Sequence, residues 1–504
     1  MKKICVTALI LIICIYFTAC SQENMDPGGN KNQNENSSGE ILKETSEATT
    51  EIERPEIPGG TNYGGYEFNI SVPEPEIIDL IRAIYIEQQN GDTMDDAVYK
   101  RNRLIEDMLN IKITPVIGSG HWLTDHSAAL KKTIQAGEDA FDAIDGAYQP
   151  MLAFNGCLIN LYNVPNMNLS KPWWDQRMID DLSYTNSKLY YIIGDMGYFG
   201  MSGVMCMLFN KQLFENNGFE YPYEKVRQGK WTLGEFSKLV KESSRDLNGD
   251  GIMDESDCWG YSGNSGEVLW SMLGCGEKAI GFDEEGTPSV NSMSERHIQV
   301  ISALSGLMSD KNYVLLVENM KSSDPYGAID AARRESRLLF FKTTVAGISS
   351  MRTLEYDFGV VPQPKFDENQ PEYRSPATSY SSGSSAVSIP VTNSDLERTG
   401  MILEAMSGYS TDIIIPALID VALKSKYTRD EESSEMIELI LKTKMFDPLM
   451  EYGWGRLSFG GLYWDIYSNL TLKGAENFVS AIEKQLSKTE KDRENFIKVF
   501  DEMN

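Results

Sequence analysis

Tyr66-Glu-Phe-Asn-Ile-Ser-Val72 opens the stretch whose reading decides the fold, and Phe141-Asp-Ala-Ile-Asp145 closes it. The first segment alternates apolar and polar residues, the period of a half-buried strand. Asp95 to Leu109 then changes period. Val98 with Ile105, Leu104 with Met108, and Ile105 with Leu109 fall at helical spacings. Ile111-Lys-Ile-Thr114 returns to period two, Ser127–Ala136 reads as a second helix, and Phe141–Asp145 as a short buried strand. Strand, helix, strand, helix, strand argues for an α/β layer with a largely parallel sheet.

Downstream, a loop-rich region from Gly146 to Gly203 contains Lys171-Pro-Trp-Trp-Asp175 and Tyr190-Tyr-Ile-Ile-Gly-Asp195. Val204–Asn210 reads as a strand and Lys211–Asn217 as a short helix. Trp231-Thr-Leu-Gly-Glu-Phe236 opens another helix, with Thr232 and Glu235 spaced as a capping box. Further strands are predicted at Leu338–Phe341, Val345–Ile348, Phe358–Val361 and Ala386–Ile389. From Asp395 the chain reads as mostly helical, ending in a charged helix over Ala475–Glu502. Strands in separated groups predict two α/β lobes with more than one crossover.

Upstream, Lys2 and Lys3 precede an apolar run from Ile4 to Tyr16, too short for a comfortable membrane span and suited to a signal peptide. Thr18-Ala19-Cys20 resembles a bacterial lipobox, with Phe17 standing where Leu, Val or Ile is usual. Cys20 is therefore the expected lipidated residue. Ser21 to about Gly60 is rich in polar residues, Pro and Gly, and has too few apolar groups to bury; it is expected to be a tether. Of the 7 cysteines, Cys157, Cys206, Cys258 and Cys275 remain in the exported body. Four are too sparse for a disulfide scaffold. Spacing leaves open whether Cys258 and Cys275 pair.

The 504 residues suffice for two or three domains. With 46 basic and 74 acidic side chains the net charge is −28, which repels phosphate backbones and argues against nucleic-acid binding. The 41% hydrophobic content supports large cores and excludes wholesale disorder, and 3 histidines leave little room for histidine-based metal catalysis. His121 and His126, with Asp125 between them, fit no usual zinc spacing.

The sharpest local motif is Asp246-Leu-Asn248-Gly-Asp250-Gly251-Ile252-Met-Asp254-Glu-Ser-Asp257. Oxygen ligands fall at loop positions one, three, five, nine and twelve, with Gly251 at six and the Ile252 carbonyl at seven. That is the spacing by which a calcium loop surrounds a hard cation. Asp257 replaces the usual bidentate Glu and is one methylene shorter. A strand-like Cys258-Trp-Gly-Tyr follows in place of an exiting helix, so a structural Ca2+ is expected rather than a regulatory pair of loops.

Segments along the chain resemble the extracellular solute-binding proteins, family 1, of bacterial ABC importers, in particular the carbohydrate-type lipoproteins. They are the lipobox at Cys20, Lys171-Pro-Trp-Trp, Leu208-Phe-Asn-Lys-Gln-Leu-Phe-Glu215, Gly229-Lys-Trp-Thr followed by the Asp246 loop, Asp357-Phe-Gly-Val-Val-Pro-Gln-Pro364, Ile389-Pro-Val-Thr, Glu397-Arg-Thr-Gly-Met-Ile-Leu-Glu-Ala405 and Lys426-Tyr-Thr-Arg-Asp-Glu-Glu-Ser433. The resemblance spans about residues 63–470. It implies a type II periplasmic-binding-protein fold: two α/β lobes joined by a multi-strand hinge, with a ligand cleft between them. Mapped by order, 1–19 is the signal, 20–59 the lipidated cysteine and tether, 60–198 with 374–428 the N-terminal lobe, and 199–373 with 429–504 the C-terminal lobe. It further implies a monomeric protein on the outer face of the bacterial cell membrane, held there by lipid alone, that delivers a solute to ABC permease subunits without covalent chemistry.

Sugars present hydroxyls and flat apolar faces, so their sites combine aromatic plates with Asp, Asn, Glu and Arg. In such a fold the cleft is lined by loops at strand ends. That geometry selects Asp145, Tyr148, Trp173, Trp174, Asp195, Arg352, Tyr380, Trp454 and Trp464 as ligand-binding candidates, an oligosaccharide being the expected solute. Trp231, at a helix start, is assigned to the core. Two rival readings stay open: a surface receptor or adhesin of the same fold, and a secreted glycoside hydrolase, which would need a carboxylate pair roughly 5–10 Å apart.

Overall fold

The computed structural model describes residues 53–75, 80–146, 148–379, 386–423, 431–452 and 463–503. Cys20, the expected leader, the expected tether as far as residue 52, Tyr380 and Trp454 lie outside the described residues; the end of that expected tether is instead packed, with Pro55 buried and Arg54 paired with Asp412. Three strands come first: β1 (Tyr66–Val72), β2 (Ile111–Ile117) and β3 (Ala143–Asp145). A second group follows: β4 (Met205–Asn210), β5 (Trp259–Gly263), the hairpin β6 (Ile280–Phe282) and β7 (Pro288–Val290), β8 (Val314–Leu316), β9 (Leu338–Thr344) and β10 (Phe358–Val361). The last are β11 (Ser375–Ala377), β12 (Val387–Ser388) and β13 (Lys444–Phe446).

The first lobe is built on the sheet β12-β3-β1-β2, with β1, β2 and β3 parallel and β12 antiparallel to β3. Its logic is that of the sequence. Phe68, Ile70 and Val72 point inward with no exposed surface, and the helix Thr93–Leu109 turns Val98, Ile105 and Leu109 onto them. Asp92 caps that helix by accepting the Met94 and Asp95 amides, and Asn110 ends it in the left-handed region at φ 51°. The helix Leu396–Leu423 packs along Thr93–Leu109. It is long and apolar enough to cross a membrane, yet 56% of its most apolar window is buried inside the protein, as a core helix requires.

The second lobe carries the sheet β10-β4-β9-β5-β8. Strands β8, β5 and β9 run parallel, β4 runs against β9, and β10 against β4. Trp231 is wholly buried against Phe236 and Phe340, its indole N–H on the Pro362 carbonyl. Thr232 caps the helix Leu233–Ser243 through the Glu235 amide.

Val345–Ile348, expected as a strand, is not one. The ladder ends where the Val345 amide meets the Val204 carbonyl, and a 3-10 helix takes over at Ala346–Thr353. Thr344 Oγ1 accepts the Gly347 amide at 3.1 Å, capping the turn. A Cβ at Gly347 would stand 2.2 Å from Thr343 Oγ1, so a larger residue there would force the Thr343 side chain to shift.

The chain first leaves the N-terminal lobe after Ile192, which is bridged to Val387, and enters β4 through the helix Tyr198–Ser202. It returns after β10 by way of β11, which lies parallel to β13 in a small sheet of its own. The C-terminal helix Phe478–Glu502 was expected wholly with the second lobe. Its last turns instead lie on segments assigned to the first: Phe500 packs edge-on against Phe154, Tyr184 and Tyr190, and Lys188 Nζ donates to the Phe500 carbonyl. Cys157, Cys206, Cys258 and Cys275 are buried free thiols, so Cys258 and Cys275 do not pair.

Candidate functional site

Parallel strands deliver their C-terminal ends to one edge of each sheet, and the residues beyond those ends are free to vary without breaking the ladder. In the second lobe the 3-10 helix beyond β9 packs against the first-lobe helix Leu396–Leu423. At the first edge β3 ends in Asp145, 1% exposed and paired with Val387. Gly146 follows at φ +76°, and a Cβ there would strike Leu80, so the turn needs glycine. Tyr148 is buried, its amide donating to Ser127 Oγ at 2.8 Å. Gln149 then ties the turn to the neighbouring strand: its Nε2 donates to the Ala386 carbonyl and its Oε1 accepts Ser388 Oγ at 2.7 Å.

A buried cluster of phenols and carboxyls meets this edge. Beyond β13, Asp447 begins the short helix Pro448–Tyr452, and Glu451 lies one turn on. Both acids have no exposed surface. One Glu451 oxygen accepts the Ser379 amide at 2.8 Å and the other accepts Ser379 Oγ. Burial pushes the Glu451 carboxyl up to about 8; the bonds from Ser379 pull it down and Asp447 pushes it up. Asp447 is raised to about 7, again by burial first, with Lys278 and the Met450 and Leu449 amides acting against. The Tyr452 hydroxyl donates to the Leu182 carbonyl at 3.0 Å, and its ring meets that of Tyr191 at 6.2 Å. Burial and the Glu451 charge raise the Tyr148 phenol. At neutral pH a carboxyl raised in this way donates as well as accepts, and phenols do both, which is the chemistry that reads hydroxyl groups.

A second cluster lies at the first crossover. Asp195 accepts Thr411 Oγ1 at 2.7 Å. Burial pushes its carboxyl up to about 7; Thr411 and Lys444 pull it down and Asp175 pushes it up. Lys444 Nζ lies 2.5 Å from Asp175, both side chains being nearly buried. Trp174 donates its indole N–H to Glu404 at 2.9 Å. Trp174, Asp195, Asp175 and Lys444 line a cavity of about 320 Å³.

The structure thus brings Asp145 and Tyr148 to one strand end, and Trp174 and Asp195 to the crossover. Trp173 is buried elsewhere, under Lys171 and close to Gly408. Trp464 stands apart from both groups, half-buried beside Gly266 in the loop after β5, at the edge of the second sheet. Arg352 falls in the 3-10 helix beyond β9. Sequence reasoning missed Tyr191, Ser379, Asp447, Glu451 and Tyr452. The available signal was Met445-Phe-Asp-Pro-Leu-Met-Glu-Tyr452, two acids a helical turn apart in an apolar run.

The Asp246 loop is a closed turn. Arg245 and Cys258 pair across its base, and Asp257 accepts the Leu247 and Asp254 amides at 2.9 and 2.8 Å. Asp246 accepts the Gly249 and Gly251 amides, Asn248 that of Asp250, and Asp250 that of Ile252. Gly251 takes φ +77°, the conformation that position six requires. Asp254 accepts Ser256, which lowers its carboxyl. The donors are the hard oxygens that calcium takes. Among the described residues no three acidic, thiol or imidazole side chains converge as a ligand set. Arg337 fastens the exit of the loop to β9 through the Glu255 and Asp257 carbonyls.

No family model matches the sequence, and no curated protein matches it. Solved structures match in fold. A sugar transporter protein from Rhizobium etli, in an open conformation, is similar at a TM-score of 0.55 and 10% identity, over 85% of this chain and 99% of that one. The galacto-N-biose/lacto-N-biose I-binding protein of an ABC transporter from Bifidobacterium longum, in complex with lacto-N-biose, gives 0.52 at 16%, over 87% and 98%. An ABC substrate-binding protein from Listeria monocytogenes, in complex with cycloalternan, gives 0.51 at 14%, over 84% and 99%. The chain has their fold, the type II periplasmic-binding-protein arrangement of two α/β lobes.

Proposed function

We propose that this chain is the solute-binding protein of an ABC importer, that it captures an oligosaccharide between its lobes, and that it does no covalent chemistry on it. The observation that carries the reading is the extent of the likeness. Both lobes of binding proteins are covered almost from end to end, with 98–99% of their length matched. The buried phenols and the raised Glu451 carboxyl near the end of β3 are groups that can both donate to and accept from hydroxyls, which supports the reading. In this reading Asp145 and Tyr148, at the end of β3, border the solute site from the first lobe, the buried Glu451 backs Tyr148 from the helix Pro448–Tyr452, and Trp464 offers a ring from the second. Cys20 carries the lipid that holds the protein at the outer face of the cell membrane, and permease subunits receive the solute. The Asp246 loop holds a structural Ca2+ through Asp246, Asn248, Asp250, the Ile252 carbonyl, Asp254 and Asp257.

The test is a thermal-shift screen of the full-length chain against an oligosaccharide panel, with calcium present. A ligand at 100 times its Kd stabilises by about 2.7 kcal/mol. For a protein of this size that is a shift of a few degrees or less. A shift with one glycan class, recovered uncleaved, supports the reading. Cleaved glycan moves the assignment to a hydrolase, and silence across the panel removes sugars.

A further inference from the structure

Arg101 has no exposed surface, and its guanidinium has five N–H groups to satisfy. Each finds an oxygen. Nε donates to Asn102 Oδ1 at 2.8 Å; Nη1 donates to the Met196 carbonyl and to Ser410 Oγ, both at 3.2 Å; Nη2 donates to the Ala83 and Ile84 carbonyls at 3.0 and 3.4 Å. Asn102 doubles the last tie, donating from Nδ2 to the Ile84 carbonyl at 2.8 Å. One side chain therefore joins the end of the short helix Ile81–Ile84, the helix Thr93–Leu109, the first crossover and the helix Leu396–Leu423. Its neighbours repeat the tie: Asp195, next to Met196, accepts Thr411, next to Ser410.

Burial costs this cation, lowering it to about 10, and the charge acting most strongly against that loss is the Asp145 carboxylate. Met196 lies where the chain departs for the other lobe, and Ser410 on the helix that packs along Thr93–Leu109. A buried guanidinium whose donors are all engaged cannot turn without breaking several bonds at once, so movement at one end is felt at the other.

We propose that Arg101 is a positioning residue that ties the helices Ile81–Ile84, Thr93–Leu109 and Leu396–Leu423 to the first crossover, and so sets the pivot about which the lobes close. The pivot does not rest on the oligosaccharide reading above, and its test needs no ligand.

Spin labels at exposed Leu104 in the first lobe and Tyr326 in the second, 39% and 69% exposed, report the distance between lobes in the full-length chain without ligand. Arg101→Lys keeps the charge but loses the planar five-donor fork. It is expected to broaden or displace the interlobe distance distribution. Ser410→Ala removes a single bond and should do the same to a smaller degree, keeping the test open should Arg101→Lys fold poorly. Distributions unchanged in both variants would overturn the pivot, whatever the solute is.

Discussion

At the scale of the residue, Glu451 concentrates the chemistry of the buried cluster beside Tyr148. Its carboxyl is raised to about 8 in the folded protein, chiefly by burial. An ordinary Glu titrates near 4.3. The neutral form therefore contributes stability that is fully present below about pH 4.3 and is lost as pH rises through about 8. Asp447, raised to about 7, acts in the same direction. Glu451→Gln removes one of the two titrations while keeping an oxygen for the Ser379 amide. Its stability should fall less steeply than wild type between pH 5.5 and 7.5, by up to about 1.4 kcal/mol per pH unit. Melting profiles across that range check this, and superimposable slopes would contradict it. Lys444 and Asp175 make a second prediction. Lys444→Met strands a buried carboxylate and should cost about 3–5 kcal/mol. Asp175→Asn added to it should restore most of the loss, because Asn still caps the Met178 amide. Urea titrations of the single and double variants decide it. Little of this was legible in the sequence. Asp145 and Tyr148 could be proposed because they end and follow a strand that periodicity reveals. Ser379, Asp447 and Glu451 follow β11 and β13, strands of three residues each, too short to carry a period.

At the scale of the element, reading succeeded where a segment satisfies itself locally. Thr93–Leu109 has its own caps and apolar stripe, and Thr232 caps its helix through the Glu235 amide as the spacing predicts. It failed at Val345–Ile348, where apolar composition suggested a strand and the Thr344–Gly347 turn ended it. The Asp246 loop belongs to this scale. Its side chains already accept backbone amides of the loop, so the turn is folded by its own Asx bonds, and a cation would add to that. Calcium-loaded protein should melt above chelated protein, with the difference lost in Asp246→Asn/Asp250→Asn. Identical melting with saturating calcium and with chelator would remove the metal from the account.

At the scale of the whole molecule, the two-lobe α/β class was legible because separated strand groups and a parallel core leave a strong pattern. The placement of the C-terminal helix was not. Phe496 and Phe500 stack at 4.0 Å and lie on Phe154, Tyr184 and Tyr190, a long-range contact that local pattern does not encode. This helix ties its end to the first lobe through Lys188 and Tyr184, so Lys188→Ala should loosen it and raise amide exchange in its last turns ahead of the rest of the protein. The central claim is capture by closure of two lobes on an uncleaved oligosaccharide. It is tested most directly by small-angle X-ray scattering of the full-length chain with and without a saturating glycan from the screen. The account predicts a smaller radius of gyration with glycan, restored when intact glycan is dialysed away. Bound glycan with an unchanged radius, or glycan recovered in pieces, would contradict it.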